Sequence, residues 1–255
     1  MAEPTLAQIA ALSAVALAAG TIDAIAGGGG LLSVPALLAA GLPPHLALAT
    51  NKGQSVFGSG AAMVRFARAG LVDRVRARVA FPAALAGSLA GARLLVEISP
   101  ARLRPLVLVL LAAAAAFMAL RRAPPAPVEA PPRPGGSGRA IAVSLAIGAY
   151  DGFFGPGTGT FLIVAFVALL GDGLARASAG AKVVNFASNL AALCLFSARG
   201  LVVWRIALPM AAAQLAGGWA GAHLAVRRGD RLIRGVAVAV SLALALKVAW
   251  DMRAG

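Results

Sequence analysis

The chain has 255 residues, of which 60% are hydrophobic and 13% are charged, and its formal net charge is +14. An ordinary soluble domain is about 45–50% apolar and about 25% charged, so this composition excludes a typical soluble globular protein. The basic residues lie in short loops between apolar segments, which is the positive-inside pattern of membrane proteins. No basic stretch alternates with aromatic residues, so we expect a multi-pass protein of the cell membrane and no nucleic-acid partner.

Apolar segments of about the length that crosses a bilayer follow one another along the chain. The first covers residues 5–22 and is preceded by Glu3 without any Lys or Arg, so we interpret it as a retained span and not as a secretory signal. The other segments that qualify wholly or in part are 79–92, 105–120, 140–150, 183–198, 206–222 and 235–246. The sequence therefore predicts an all-α integral membrane protein with about 8–10 transmembrane or re-entrant helical segments.

A Pro-rich and Gly-rich stretch interrupts the apolar pattern near the middle of the chain. Residues 121–139 contain six prolines and end near Gly135 and Gly136, which is typical of a semi-rigid, non-helical linker. We predict a first membrane repeat over residues 1–121, a cytoplasmic linker over 122–139 and a second membrane repeat over 140–255.

The two halves carry the same landmarks in the same order, at an offset of about 128 residues that becomes about 130. The recurring pairs are Gly20 and Gly148, Asp23 and Asp151, Gly27 and Gly155, Gly29 and Gly157, Lys52 and Lys182, and Arg104 and Arg234. The loop richest in arginine is 65–78 in the first half, whereas it is 227–234 in the second, and these loops do not correspond. This exchange of charge favours two inverted-topology repeats.

Each half contains an acid followed by a glycine-rich break in the apolar pattern. Asp23 precedes residues 27–30, and Asp151 precedes residues 155–159. Because four glycines cannot continue a helix cheaply, we predict non-helical breaks near the membrane midplane, each followed by a new short helix. Helix N-termini suit anions, although the glycines could also serve packing alone. The candidate anion-binding residues here are Gly28, Gly29, Gly157 and Thr158.

A lysine lies in an apolar segment shortly after each break, and polar residues share its helix face. A lysine at the centre of a membrane helix costs about 2.5–3.5 kcal/mol on insertion scales, so it usually faces a partner or a cavity. One interpretation is a cationic face that binds an anion. The other is a structural ion pair within each half, Lys52–Asp23 and Lys182–Asp151. The candidate binding residues are Lys52, Asn51, Ser55, Lys182, Asn185 and Asn189.

No other chemistry is apparent in the sequence. His45 and His223 have no second metal-type residue at ligand spacing, and no phosphate-binding loop is present. We therefore expect no metal, no cofactor and no enzyme activity.

These motifs resemble the TauE/SafE sulfite exporter family, also called TSUP. The resemblance covers nearly the whole chain except the linker. It is carried by residues 20–37 (GTIDAIAGGGGLLSVPAL), 47–52 (ALATNK), 150–157 (YDGFFGPG) and 181–185 (AKVVN). It implies a secondary transporter, in the direction of export, for sulfite or a related organosulfur anion, driven by an ion gradient. Much of the family has a Thr-Ser pair where this chain has Thr50-Asn51-Lys52, which leaves the particular anion open.

We therefore expect a transporter of a small anion across the lipid bilayer, with Asp23 and Asp151 as coupling acids for a proton or sodium ion. An anion channel, or a membrane subunit of a larger complex, is the alternative. The sequence leaves the oligomeric state open.

Overall fold

The computed structural model describes residues 4–120 and 136–254, apart from the side chains of residues 241 and 244–254. This part of the chain is helical and has no strand, which confirms the all-α prediction. The helices are α1 (Leu6–Ala26), α2 (Gly30–Ala39), α3 (Pro44–Arg68), α4 (Arg74–Glu97), α5 (Pro100–Leu120), α6 (Gly136–Phe153), α7 (Thr158–Ala165), a π-helical turn (Phe166–Leu170), α8 (Leu174–Ala198) and α9 (Trp204–Ala254).

Local sequence signals explain several helix boundaries. Thr5 and Gln8 form a reciprocal capping box at the start of α1. Pro44 occupies the first turn of α3, where a missing N–H does no harm, and the Asp73 side chain caps α4. Gly229, with φ 59° and ψ −151°, breaks α9 into two helical parts.

The break at Gly229 makes the second half match the first, helix for helix. Helix α1 corresponds to α6, α2 to α7 with its π-helical turn, α3 to α8, α4 to residues 204–228 and α5 to the rest of α9. Among the described helices, α1, α4, α5 and α8 are long and apolar enough to cross a membrane. Helix α2 and residues 158–170 are apolar but shorter, as expected of re-entrant segments.

Equivalent helices of the two halves run in opposite directions. Helices α3 and α8 hold the same place in the repeat and pack along each other. Gly53 of α3 lies against Leu193 of α8, and Gly60 lies against Phe186, so residue numbers rise along one helix as they fall along the other. The inverted topology that the arginine distribution predicts is therefore confirmed.

The halves are interlocked through glycine contacts that obey the same symmetry. A Cβ on Gly20 of α1 would lie 2.7 Å from the Gln214 carbonyl oxygen of α9, and a Cβ on Gly148 of α6 would lie 2.8 Å from that of Ala84 in α4. Each first helix therefore packs closely on the fourth helix of the other half, because small residues let membrane helices approach.

The predicted linker lies mostly outside the described residues. Its last four residues, 136–139, are helical, because α6 begins at Gly136. The expectation of a non-helical linker therefore fails over these four residues, where α6 extends beyond the apolar segment predicted from residue 140.

Candidate functional site

The two glycine-rich breaks meet in the interior of the protein. The non-helical residues are 27–29 and 154–157, which are shorter breaks than predicted, since Gly30, Thr158 and Gly159 already belong to helices. Gly27, Gly155 and Gly157 have φ of 77°, 95° and 90°, a backbone region that favours glycine.

Direct contacts join one break to the other. The Thr160 hydroxyl donates a hydrogen bond of 3.1 Å to the Ala26 carbonyl oxygen at the end of α1. On the other side, a Cβ on Gly30 would lie 3.0 Å from Pro156 Cα. The starts of α2 and α7 therefore lie side by side between the halves.

Two buried ion pairs connect the halves, and they are crossed. Lys52 Nζ of the first half lies 2.7 Å from Asp151 Oδ1 of the second, and Lys182 Nζ lies 2.7 Å from Asp23 Oδ2. The within-half pairs Lys52–Asp23 and Lys182–Asp151 are therefore wrong as an interpretation. Both acids lie in the last turn of their helices, where the helix dipole disfavours negative charge, and the crossing lysines offset it.

Asp151 is held by donors from three helices. Its Oδ1 accepts from Lys52 and, at 3.0 Å, from the Thr158 hydroxyl. Its Oδ2 accepts from Asn185 Nδ2 at 3.2 Å and from the Ser188 hydroxyl. The side chain is only 2% exposed, so this carboxylate is fully enclosed.

Polar residues of α3 extend the network. Asn51 Oδ1 accepts from the Ser33 hydroxyl at 2.6 Å and from Gln54 Nε2 at 2.9 Å. Lys52 also donates to Asn189 Oδ1 at 3.0 Å. Asn51 therefore ties α3 to α2, while Lys52 ties it to α8.

A small cavity of about 20 Å³, which we call the central cavity, lies among these groups. That volume suits one water-sized particle. Gln214 of α9 lines it, although the sequence analysis missed this residue. The sequence feature that could have revealed it is a single amide side chain within the apolar segment 206–222. The other lining residues are Asp23, Gly30, Asn51, Lys52, Ser55, Asp151, Gly155, Gly157, Thr158, Gly159, Asn185 and Asn189.

Three candidate residues do not line the central cavity. Lys182 is fully buried against Asp23, and the Gly29 N–H donates to Asp23 Oδ1 at 3.3 Å. Gly28 packs against Met118. These three residues lie behind the residues that line the central cavity.

A larger cavity of about 1030 Å³, which we call the vestibule, lies at the end of the molecule formed by the α3–α4 connection and the start of α8. An ion pair between Arg76 and Asp172 spans it. It shares no lining residue with the central cavity. The vestibule faces the end of the protein that carries the arginine-rich α3–α4 connection.

The symmetry-related region at the opposite end is packed shut. There the Val203 N–H donates to the Thr50 hydroxyl at 3.1 Å, and a Cβ on Gly53 would lie 3.0 Å from the Val202 side chain. The repeat equivalents of these four positions all line the vestibule: Gly180, Asp73, Val183 and Val72. At one end of the molecule these positions touch, whereas at the other they border the vestibule, where a Cβ on Gly180 would meet only Phe166.

No group of three or more His, Cys, Asp or Glu side chains that could hold a metal ion occurs among the described residues. Within residues 4–120 and 136–243, the charged centre consists of the two lysines and the two aspartates.

Comparison with known proteins agrees with this architecture. Residues 12–248 match the family model described as Sulfite exporter TauE/SafE. The chain is 38% identical to a probable membrane transporter protein, ORF9, of Sinorhizobium sp. over 95% of this chain and 93% of that protein. It is also 38% identical to the probable membrane transporter protein YfcA of Escherichia coli K12, over 93% of this chain and 88% of that protein. A probable membrane transporter protein of Haemophilus influenzae is 36% identical over 95% of both chains. No solved structure matches the chain significantly.

Proposed function

Because the chain belongs to the sulfite exporter TauE/SafE family and is a multi-pass membrane transporter, not an enzyme, we propose that it is a secondary transporter that exports a small anion, sulfite or an organosulfur anion, coupled to an ion gradient. The observation that carries the proposal is the pair of crossed Lys–Asp contacts between inverted halves. They place two positive charges beside two helix N-termini, where an anion is stabilised.

The charges of the site support coupling to a cation. Lys52 and Lys182 together cancel Asp23 and Asp151, so the site is neutral as it stands. An anion alone would add one uncompensated charge in a buried place, at a cost of several kcal/mol. If a proton or Na⁺ enters with a monovalent anion, the sum of charges stays at zero. We therefore expect one cation to move with each monovalent anion in the same direction, so that in vesicles an imposed cation gradient drives the anion along that gradient.

The one-sided opening supports alternating access. In the exporting cycle, the halves exchange conformations, so that the separated positions around Gly180 close and the touching positions around Thr50 part. In this cycle the central cavity communicates with each side in turn.

An anion channel is the second candidate, but the structure favours it less. A channel needs a continuous path, whereas the packed region at Thr50 and Val203 closes one end. A role as a subunit of a larger complex predicts that the chain alone carries no flux.

A flux assay with the purified full chain in proteoliposomes tests the proposal. Sulfite, sulfoacetate, taurine, sulfate and thiosulfate are offered in turn, with and without a pH or Na⁺ gradient. We expect one of the small sulfur anions to accumulate against its own gradient, and Lys52→Gln to abolish this accumulation.

Arg93→Gln is the matched control, because it removes a cation whose side chain is 75% exposed. We expect it to transport like the unmodified chain. Flux that never exceeds equilibration would indicate a channel, and Lys52→Gln protein with full, gradient-driven accumulation would refute the role of the lysine.

A further inference from the structure

The two aspartates occupy equivalent positions but have unequal surroundings. Asp151 accepts four hydrogen bonds from side chains and is 2% exposed. Asp23 is 17% exposed and accepts only two among the described residues, from Lys182 and from the Gly29 N–H. The symmetry of the fold therefore does not extend to the number of hydrogen bonds that the two carboxylates accept.

The repeat shows which donors Asp23 lacks. Thr158, which donates to Asp151, corresponds to Gly30, which has no side chain. Ser188 corresponds to Gly58, and Asn185 corresponds to Ser55, whose shorter side chain makes no hydrogen bond to Asp23. Gly30 and Ser55 both line the central cavity. Two of the positions where Asp23 lacks donors therefore border the cavity, which Asp151, Thr158 and Asn185 also line.

Gln214 reaches into the same place. It is 3% exposed, and its Cγ and Cδ atoms fill the space beside Gly58. Its Oε1 is buried and has no hydrogen-bond partner among the described residues, although the residue lines the central cavity. The repeat equivalent of Gln214 is Ala84, so this acceptor exists on the Asp23 side only.

These groups form a set of oxygen ligands around a water-sized space. A carboxylate, an unpartnered amide oxygen and a hydroxyl attract a hard monovalent cation, because such cations prefer oxygen ligands. Among the charged groups, Lys52 of α3 lines the space and is bound to Asp151 of α6, whereas Lys182 of α8 is bound to Asp23 but does not line the space. Helices α2, α7 and α9 contribute no titratable group to the lining.

We propose that Asp23, Ser55 and Gln214 form the binding site for the single cation that accompanies the anion, either a proton carried as hydronium or Na⁺, and that Asp151 is a fixed partner of Lys52 that exchanges no cation. This inference rests on the proposed function and names the residues that perform its coupling.

The test measures cation binding with chloride as the only small anion, so that a compensating charge is available without any transported sulfur anion. The melting temperature of the purified full chain in detergent is followed as NaCl replaces choline chloride at constant ionic strength and, separately, as pH falls in Na⁺-free buffer. If the cation is Na⁺, the first series stabilises the unmodified chain; if it is a proton, only the second does. We expect the half-saturating cation concentration to rise at least tenfold in Gln214→Leu. In Asp23→Asn the response should be lost.

Ser144→Ala is the matched control, because Ser144 is also buried and its hydroxyl has no partner among the described residues, but it does not line the cavity. It should keep the cation response. A response that survives undiminished in Gln214→Leu and Asp23→Asn, or no response to either cation in the unmodified chain, would overturn the inference. Because no sulfur anion is present, a normal cation response in a chain without anion flux would refute the proposed function alone.

Discussion

Double-mutant cycles can test whether the ion pairs are crossed, as the structure has them. Lys52→Met leaves the Asp151 carboxylate buried without its cation, and breaking a buried pair in this way costs about 3–5 kcal/mol. Asp151 keeps its bonds from Thr158, Asn185 and Ser188, so we expect the lower end, about 3 kcal/mol. Adding Asp151→Asn removes the stranded charge, so the double variant should recover much of this loss.

The cycle yields a coupling energy for each choice of partner. Residues in direct contact couple by about 0.5–3 kcal/mol, and we expect about 2–3 kcal/mol for Lys52 with Asp151 from the upper part of that range. For Lys52 with Asp23, which belong to the same half but are not in contact, we expect less than about 1 kcal/mol.

Reversible unfolding by SDS in mixed detergent micelles supplies the free energies of unfolding for both cycles. Lys182 with Asp23 provides an independent repeat of the measurement. If Lys52 couples to Asp23 as strongly as to Asp151, the crossed arrangement is wrong, and so is the charge argument built on it.

Two further predictions concern the packing between the halves and the closed end of the molecule. Gly20→Val should destabilise the protein by about 1–3 kcal/mol, because the new side chain would meet the Gln214 backbone. Gly235→Val should change the free energy of unfolding far less, because no atom lies within 4 Å of its Cβ position. Equal losses of stability would contradict the close approach of α1 and α9. In a Cys194→Ser background, the pair Thr50→Cys and Val203→Cys should cross-link rapidly under mild oxidation because these residues touch, while the equivalent pair Gly180→Cys and Asp73→Cys should cross-link slowly until substrate and cation are supplied. Equal rates in gel-shift assays of both pairs would argue against one open and one closed end.

Much of the architecture follows from hydropathy and landmark order. Helix-breaking glycines beside Asp23 and Asp151 predict the two interior breaks, and the distribution of arginine predicts the inversion. The exact ends of the breaks are harder to predict, because Gly30 and Gly159 lie in the first turns of helices. Gly30 does so where it lies against Pro156 of the other half. The helix propensities of the individual residues give no information about that contact.

The partners of the lysines are also beyond the reach of sequence alone. The internal repeat shows that each half has one such lysine and one such acid. Pairing within a half and pairing between the halves are equally consistent with that repeat. Only the tertiary packing of the helices brings Lys52 of α3 to Asp151 of α6 and Lys182 of α8 to Asp23 of α1. Gln214 escapes notice for a related reason: it has no counterpart in the other half, so a search guided by repetition passes over it.

The crossed pairs also bear on how the chain assembles during its synthesis. After α1 to α5 have entered the membrane, Asp23 and Lys52 still lack the partners that α6 and α8 will bring. Each such charge raises the insertion free energy by about 2.5–3.5 kcal/mol at a helix centre. The N-terminal half alone is therefore an unfinished intermediate that membrane quality control should recognise and degrade. Co-expression of the C-terminal half from a second gene should rescue it, since each half carries the counter-charges of the other.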